Sequence, residues 1–400
     1  MADYYSFGRF TIEQGANRLI VVGKPGVWSW DRLNPGTEAL LEMVHLGVVQ
    51  VTPGAAVLDL GCGTGVIGAA LAALAPEAQV TLVDCDAPAI ASAERTVAAN
   101  HLTNARVQLG DGTLDLPDES VDLVVSHLPR GQRVQEELIA GAARVLRPEG
   151  HLCFVASKQA GVKGAVEAAG EQFGRCGVIR QKKGYHVAMA TKPDGAPSLL
   201  PRGDGCETRS VVIDGAATTL VSKPGVFAWD RLDEGTARLI ETMQIREGDR
   251  VLDLGCGTGL AGLAAGRRAG GTQVVLVDAD VRAVTSARRT LAANGLTNAE
   301  VVLSDCASAV LGRGFDVVIT NPPFHRELGV DYEVAFQFVR DAARVLAPGG
   351  RLFLVTNAHL RYDAAIRSAF GNVAVAYEDN RYRVLTAVAK AGPGGHRERH

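Results

Sequence analysis

The sequence lacks the patterns that usually identify membrane, secreted and metal-binding proteins. Glycine, proline or charge interrupts every apolar run well short of the length that crosses a bilayer. Residues 1–5 contain no basic region followed by an apolar stretch, so no secretory signal is evident. The seven cysteines include no CxxC pair and favour neither disulfides nor a zinc site. We therefore expect a cytoplasmic protein that holds no metal.

An excess of charge of one sign is also absent. The net charge is only −3 over 400 residues, whereas nucleic-acid-binding proteins often carry a basic excess. Any contact with RNA must therefore come from a local patch of basic side chains. With 47% hydrophobic and 21% charged residues the composition is that of an ordinary soluble protein, and the length allows two domains with separate cores.

What the sequence does contain is a unit that occurs twice. The segment VLDLGCGTG at residues 57–65 recurs letter for letter at residues 251–259, and the same shift aligns Asp84 with Asp278. A period of this length indicates a duplicated domain rather than a solenoid of short repeats.

The two copies meet in a stretch rich in proline and glycine, residues 191–205. We predict one domain at residues 1–195 and a second at residues 206–390. Residues 391–400 are polar and glycine-rich and predict a disordered tail.

Each half alternates strand and helix patterns. In the second half the predicted strands are residues 250–254, 273–277, 300–303, 315–320 and 351–356, and the predicted helices are residues 260–268, 281–294 and 334–346. This alternation predicts an α/β fold, with two tandem Rossmann-like domains that each contain a mostly parallel sheet covered by helices on both faces. Ligands of such sheets bind at the carboxyl ends of the strands.

A glycine-rich loop joins the first strand of the second half to its helix. It contains Asp253, Gly255, Cys256, Gly257 and Gly259. Glycine allows positive φ and a close approach of the backbone to a ligand, and the N–H groups of the following helix favour a carboxylate or phosphate. The third glycine of a nicotinamide-binding GxGxxG loop is missing. The GxGxG pattern after an acidic residue is instead typical of enzymes that use S-adenosylmethionine. The alternative is a tight turn without a ligand.

Acidic residues follow the next two strands. Asp278 ends the second strand, where a carboxylate can accept from both hydroxyls of a ribose. Asp305 and Cys306 end the third strand, where this fold usually meets an adenine ring. Surface solvation is the alternative for Asp305. Asp280 lies just before a helix and is a plausible N-cap.

A proline loop follows the fourth strand, with Asn321, Pro322 and Pro323 preceding Phe324 and His325. Two consecutive prolines force the chain to leave the sheet in a stiff loop. Its acceptors are Asn321 Oδ1 and the Pro322 carbonyl, beside the aromatic face of Phe324. This set suits a planar group that carries N–H donors, such as the amino edge of a base. The alternatives are a turn-capping asparagine and a core aromatic.

The chemistry of a conjugated amine explains the acceptors. The nitrogen lone pair is delocalised, so two acceptors on its hydrogens hold the amine against a methyl donor and favour the pyramidal form. Alignment of the amine with the bond between sulfur and the methyl group supplies most of the remaining catalysis, as positioning rather than acid–base chemistry. Phe324 would stack on a base flipped out of its helix. We therefore predict catalytic roles for Asn321, Pro322 and Phe324.

The first half carries a different sequence at this position, His127-Leu128-Pro129-Arg130. The asparagine, one proline and the aromatic are missing, although the glycines of the loop remain. We therefore expect only the second domain to be catalytic. A group of basic residues in the first half forms either an RNA-facing patch or ordinary solvated charge: Arg130, Arg133, Lys158, Lys163, Arg175, Arg180, Lys182 and Lys183.

The second half resembles the ribosomal RNA guanine-N2 methyltransferases of the small-subunit methyltransferase C type, which include a related large-subunit enzyme. The segments that carry the resemblance are KPGVF (223–227), LDEGT (232–236), the glycine loop, NPPFH (321–325) and NAHL (357–360). The resemblance covers residues 206–390 and continues more loosely through the first half.

The resemblance implies S-adenosylmethionine as cofactor, with Thr236 and Asn321 joining the cofactor-binding residues. It also implies methylation of a guanosine N2, in 16S ribosomal RNA, by a monomer whose partner is ribosomal RNA or the small ribosomal subunit. The first domain of the family is degenerate and assists RNA binding and folding. This chain departs from some relatives in keeping an intact glycine loop in its first half, so binding of S-adenosylmethionine by the first domain stays open. Three alternatives stay open: a 23S guanine, another amino group (adenine N6 or a glutamine amide), and an RNA chaperone or assembly factor with a vestigial catalytic domain.

Overall fold

A computed structural model describes residues 3–14, 17–195, 205–323 and 332–390. The chain divides into two compact units, Met1–Asp204 and Gly205–His400. Among the helices of these described ranges, none combines the length and the apolar character that crossing a membrane requires.

The first unit contains nine strands and five helices within its described residues. They are β1 (Gly8–Gln14), β2 (Asn17–Gly23), α1 (Pro35–His45), β3 (Ala56–Leu60), α2 (Val66–Leu74), β4 (Gln79–Asp84), α3 (Ala87–Ala99), β5 (Ala105–Leu109), β6 (Val121–His127), α4 (Gln132–Val145), β7 (Leu146–Ser157), α5 (Val162–Phe173), β8 (Cys176–Lys182) and β9 (Tyr185–Thr191).

The second unit repeats this order, with one added 3₁₀ turn at Ser308–Val310. Its elements are β10 (Glu207–Ile213), β11 (Ala216–Ser222), α6 (Glu234–Thr242), β12 (Val251–Leu254), α7 (Leu260–Arg268), β13 (Val274–Asp278), α8 (Val281–Ala293), β14 (Ala299–Leu303), β15 (Phe315–Thr320), α9 (Tyr332–Val345), β16 (Leu346–Asn357), α10 (Asp363–Phe370), β17 (Ala374–Glu378) and β18 (Tyr382–Val388).

Each unit has a seven-stranded sheet, ordered β5-β4-β3-β6-β7-β9-β8 in the first and β14-β13-β12-β15-β16-β18-β17 in the second. The first five strands of each order run parallel, and the sixth, β9 or β18, is antiparallel to both of its neighbours. The predicted α/β class with two tandem methyltransferase-like domains is confirmed. In the second unit the strand order reverses between β12 and β15, and a sheet of this kind binds its ligand at such a reversal.

The central strands form in apolar runs that are interrupted only by Asp253 in β12 and Asp316 in β15. Val251, Val317 and Ile319 are all fully buried, as are most of their neighbours in β12, β13 and β15. Strands of a parallel sheet that is covered on both faces read as such runs because neither side contacts water. The predicted strands and helices of this half agree with the observed ones to within two residues, except that β16 begins five residues before the predicted strand at 351–356.

A two-stranded hairpin precedes each sheet, β1-β2 in one unit and β10-β11 in the other. An asparagine that occurs in both copies holds the hairpin to the end of a helix. Asn294 accepts from the Thr219 N–H at 3.1 Å and donates to its carbonyl at 2.6 Å. Asn100 makes the same pair with Ile20, at 2.9 and 2.6 Å. The repeated asparagine is therefore a docking residue.

Candidate active site

The three glycines of the second unit's loop all have positive φ, at 76° for Gly255, 52° for Gly257 and 80° for Gly259. A Cβ at Gly255 would lie 2.7 Å from the Phe338 ring, and one at Gly259 would lie 2.9 Å from Ala287 Cβ. At Gly257 the nearest atom would be 3.9 Å away. Packing therefore requires the first and third glycines, whereas the middle one leaves open space for a ligand.

Two carboxylates hold this loop. Asp253 Oδ2 accepts from the Gly262 N–H at 2.8 Å, and Asp278 Oδ2 accepts from the Gly257 N–H at 2.9 Å. Asp278 Oδ1 also accepts from the Asp280 N–H at 3.1 Å. Asp253 is buried beneath the loop, whereas Asp278 is half-buried at the strand end. Each carboxylate oxygen can accept more than one hydrogen bond, so Asp278 keeps capacity for a ligand hydroxyl.

Burial raises the pKa of both carboxyls. The pKa of Asp253 rises to about 7, with a further contribution from the nearby charge of Asp278, although the Gly262 hydrogen bond acts in the opposite direction. The pKa of Asp278 rises to about 6, again chiefly through burial. The Cys256 thiol lies buried between them, and burial raises its pKa well above the usual range. Cys256 is therefore a protonated thiol, and its backbone N–H donates to the Val277 carbonyl at 2.9 Å.

A buried carboxyl with a raised pKa makes stability depend on pH. For Asp253 the unfolded pKa is near 3.8 and the folded pKa is about 7, so the folded state binds the extra proton between these values. Its contribution to stability is complete below pH 4 and is lost as the pH rises through 7. We expect Asp253→Asn, which keeps an acceptor for the Gly262 N–H, to raise the free energy of unfolding at pH 8 by on the order of 2 kcal/mol.

Calorimetry at pH 5 and pH 8 checks this expectation. Asp59 is the matched residue of the first unit, since its pKa is also raised to about 7 by burial. Asp253→Asn and Asp59→Asn should each raise the transition temperature of one domain at pH 8, with a smaller change at pH 5. A lower transition temperature at pH 8 in both variants would contradict the account.

Asn321 is fixed by two residues at the start of α6. Its Nδ2 donates to Thr236 Oγ1 at 2.9 Å and to Asp233 Oδ2 at 3.2 Å. A carboxylate oxygen only accepts, so the amide nitrogen must face Asp233 and Oδ1 must face away from it. Asp233 is also the N-cap of α6, since Oδ2 accepts from the Thr236 N–H at 2.9 Å. Asn321 is half-buried and Pro322 is buried, so the Oδ1 acceptor stands on a rigid support.

The strand register brings the proline loop and the glycine loop to the same edge of the sheet. β12 and β15 are parallel neighbours, with Asp253 paired to Ile319. The buried Thr320 hydroxyl donates to the Leu254 carbonyl at 2.7 Å, which ties the two strand ends together. Asn321 and Gly255 follow directly. A planar amine held by Asn321 would therefore lie beside a ligand of the glycine loop.

The structure places the remaining predicted residues as follows. Asp305 is half-buried after β14, and Cys306 beside it is buried with a φ of 48°. Asp280 is confirmed as the N-cap of α8, because its side chain accepts from the Arg282 N–H at 2.8 Å. Phe324 lies outside the described residues. Direct contact of these side chains with a cofactor or a base stays a prediction.

Two residues of this site were not predicted from the sequence. Asp233 holds Asn321, and Tyr382 at the start of β18 packs against α6, where a Cβ at Gly235 would lie 3.1 Å from its ring. Burial, followed by the charge of Asp233, raises the pKa of Tyr382. The repeat contained the signal, since Tyr185 occupies the corresponding start of β9.

In the first unit an aromatic cluster replaces the acceptor loop. His127 Nδ1 shares a hydrogen bond with Thr37 Oγ1 at 3.0 Å, as Asn321 does with Thr236. The rings of Trp28 and Tyr185 lie edge-on to His127, with centroids at 4.4 and 5.7 Å. Burial lowers the pKa of His127 to about 3, so the ring is neutral. This position cannot present a backbone-supported amide acceptor to an amine.

Several of the basic residues in the first unit have acidic partners. Arg180 pairs with Glu42 at 3.0 Å, and Lys182 pairs with both Glu42 and Glu38. These pairs place acidic charge among the basic side chains, so the local positive charge is smaller than the sequence indicates. The RNA-facing patch stays a prediction.

Comparison with known proteins gives a consistent result. The family model for the methyltransferase small domain matches residues 18–189 and again residues 217–386. The ribosomal RNA small subunit methyltransferase C of Pseudomonas entomophila is 33% identical over 273 residues, which cover 68% of this chain and 80% of that protein. The protein of that description from Chromohalobacter salexigens is 44% identical over 179 residues, or 44% of this chain and 53% of the relative.

A solved structure covers almost the whole chain. It is the T. thermophilus 16S rRNA N2 G1207 methyltransferase (RsmC) in complex with AdoMet and guanosine. It is 31% identical, with a TM-score of 0.79 over 96% of this chain and 98% of that chain.

Proposed function

This chain belongs to the methyltransferase small domain family and to the ribosomal RNA small subunit methyltransferases C, and from that premise we propose which unit and which residues perform its reaction. It is an S-adenosylmethionine-dependent methyltransferase of ribosomal RNA that acts on the exocyclic N2 of a guanosine in 16S RNA. Catalysis belongs to the second unit, and the protein acts as a cytoplasmic monomer. The observation that carries this assignment is Asn321, held by Thr236 and Asp233 at the reversal point of the sheet.

The residues of the glycine loop fit S-adenosylmethionine, which supplies an activated methyl group on a sulfonium when bound. Asp278 offers acceptors for ribose hydroxyls, and the open space at Gly257 admits a ligand against the backbone. The N–H groups at the start of α7 favour the amino-acid carboxylate. Asp305 and Cys306 lie where the adenine is expected. Asp253 positions the loop from below through Gly262.

Asn321 and Pro322 hold the amine that accepts the methyl group. Asn321 Oδ1 and the Pro322 carbonyl accept the two hydrogens of guanine N2, which favours the pyramidal nitrogen and exposes its lone pair. Because Nδ2 of Asn321 is held by two partners, Oδ1 keeps its direction without reorganisation during the reaction. Phe324 is proposed to stack on the flipped base. Catalysis is then chiefly positioning and hydrogen bonding rather than acid–base chemistry.

Mapping of modified nucleosides tests the substrate. We expect 16S RNA from cells that lack this protein to lose one N2-methylguanosine, and purified protein with S-adenosylmethionine to restore it. Supplying naked 16S RNA and the isolated small subunit in parallel identifies the preferred partner. Loss of a 23S guanine methyl or of an N6-methyladenine would show that this nucleotide, and not a 16S guanosine, is the substrate. Unchanged modification together with defective subunit assembly would favour the chaperone alternative.

We expect Thr236→Val to lower kcat for methyl transfer about 10-fold. The substitution keeps the shape of the side chain but removes the hydroxyl that accepts from Asn321 Nδ2, so the amide loses one of its two anchors. Single-turnover kinetics measure the rate, and titration measures the Kd for S-adenosylmethionine. Thr37→Val is the matched control, since Thr37 makes the corresponding contact in the first unit and transfer should not change. A weaker Kd with an unchanged rate would instead place Thr236 in direct contact with the cofactor.

A further inference from the structure

We infer that the first unit is a second binding site for S-adenosylmethionine, one that holds the molecule without transferring its methyl group. This inference rests on the proposed function, because it compares the first unit's loop with the loop assigned to the cofactor in the second. Each full-length chain would then bind two molecules of S-adenosylmethionine, of which one is a methyl donor.

The backbone of the first unit's loop has the same conformation as that of the second. Gly61, Gly63 and Gly65 have φ values of 75°, 55° and 75°. The corresponding values in the second unit are 76°, 52° and 80°. The loop has therefore kept its positive-φ geometry as well as its sequence.

The hydrogen bonds that hold this loop also match. Asp84 Oδ2 accepts from the Gly63 N–H at 2.8 Å, and Asp84 Oδ1 accepts from the Asp86 N–H at 3.0 Å. Asp59 Oδ2 accepts from the Gly68 N–H at 2.7 Å. Each of these contacts lies within 0.1 Å of its counterpart in the second unit. The strand-end carboxylate of the ribose position is thus present in the same setting.

Two further observations point to a ligand. A Cβ placed at Gly61 or Gly63 would meet no atom within 4 Å, so the concave side of the loop is open at both positions. In the second unit the Phe338 ring closes the space at the corresponding Gly255. Beneath the loop, Asp59 Oδ1 is fully buried and makes no hydrogen bond in the described part of the chain. A buried acidic group of this kind suits a ligand that brings positive charge, as a sulfonium and an ammonium do.

The first unit lacks the group that would bind an amine at the position of Asn321. His127 occupies the position of Asn321 and is packed between Trp28 and Tyr185. A Cβ at Gly36 would lie 2.5 Å from the Tyr185 ring and 2.9 Å from the His127 ring, so these two rings pack tightly against the start of α1. The loop retained its ligand-binding features while the amine-binding features were replaced. A ligand that binds only the folded state would stabilise the first unit by mass action.

Isothermal titration of the full-length protein with S-adenosylmethionine tests the inference. We expect two sites per chain in the wild type, one in Asp84→Ala, one in Asp278→Ala and none in the double variant. A single wild-type site that Asp278→Ala abolishes and Asp84→Ala retains would overturn the inference while leaving the proposed function intact. A single site that Asp84→Ala abolishes and Asp278→Ala retains would instead contradict the cofactor assignment in the second unit. No binding at all would overturn both.

A second pair of variants guards against loss of fold, because each aspartate also holds its loop. Gly63→Asn and Gly257→Asn add a side chain to the open space, and asparagine tolerates the positive φ at both positions. Each should remove one site. In the Gly257→Asn protein, S-adenosylmethionine should still raise the temperature of one unfolding transition. Absence of that shift, in a protein whose transitions otherwise match the wild type, would count against the first-unit site.

Discussion

Asn321→Ala is expected to lower the rate of methyl transfer by about 100- to 1,000-fold, the effect of removing one preorganised group that acts on the reacting centre. The variant removes the Oδ1 acceptor and also frees Thr236 and Asp233, which now hold the amide. Affinity for S-adenosylmethionine should change much less, because Asp278 and the backbone of the glycine loop remain. Single-turnover transfer of labelled methyl to 16S RNA measures the rate, and titration measures the Kd.

The duplicated scaffold supplies the control for this variant. His127 stands at the matched position and contacts the matched threonine. Since we propose catalysis only in the second unit, His127→Ala should leave transfer unchanged. Asn321→Asp keeps the size of the side chain but sets a second carboxylate against Asp233. It should therefore be as inactive as the alanine variant. A fully active aspartate variant would show that the direction of the amide does not matter.

We attribute the proposed difference between the two units, binding in one and catalysis in the other, to a local change at the edge of the sheet. Ser126 and Thr320 both donate to the carbonyl at the end of the neighbouring strand, at 2.7 Å in each case. The strand ends are thus held alike in both units. The next residue differs, histidine in one and asparagine in the other, and with it the group presented at the edge of the sheet. The strand ends thus have the same position in both units, and the residues that follow them determine which group each unit can bind there.

Features that depend on local pattern could be predicted from the sequence. The buried parallel strands around Val251 and Val317 follow from their predominantly apolar sequence, and the N-cap role of Asp280 follows from its place before a helix. Partners from distant parts of the chain could not be predicted in this way. Asp233 precedes Asn321 by 88 residues, and periodicity contains no information about which polar residues meet.

The antiparallel edge of each sheet escaped prediction for a related reason. β17 is exposed at four of its five residues, and Arg383 and Thr386 interrupt the apolar residues of β18, so their apolar pattern is weaker. Tyr382 nevertheless reaches α6 beside Asp233, because β18 pairs along its whole length with residues 351–357 of β16. A residue that shapes the site thus comes from the end of the chain. A comparison of the two copies position by position could have identified Tyr382, because Tyr185 is its counterpart in the first unit.

Asp278→Ala is expected to weaken binding of S-adenosylmethionine to the second unit by at least about 100-fold and to abolish transfer at ordinary cofactor concentrations. Two hydrogen bonds from ribose hydroxyls to a carboxylate contribute about 1.5–3 kcal/mol each. The variant also frees the Gly257 N–H, which loosens the loop. Titration in the Asp84→Ala background isolates this site. Asp280→Ala is the control, because its backbone N–H still donates to Asp278, while the N-cap and the ion pair with Arg282 are lost.

The pH dependence of this binding separates a ribose contact from a structural role. The pKa of Asp278 is raised to about 6, so the carboxylate that accepts from the ribose is present above pH 6 and becomes protonated below it. Protonation removes one acceptor, and the Kd should therefore rise about tenfold per pH unit once the pH falls well below 6. A cationic ligand favours the ionised carboxyl, which moves this transition to lower pH in the bound state. The residual binding by the Asp278→Ala variant should no longer show this rise of Kd at low pH, since the titrating group is gone. If the variant bound weakly but its Kd still rose in the same way at low pH, another carboxyl would cause the pH dependence. Asp253, whose pKa is about 7, would be the first to examine.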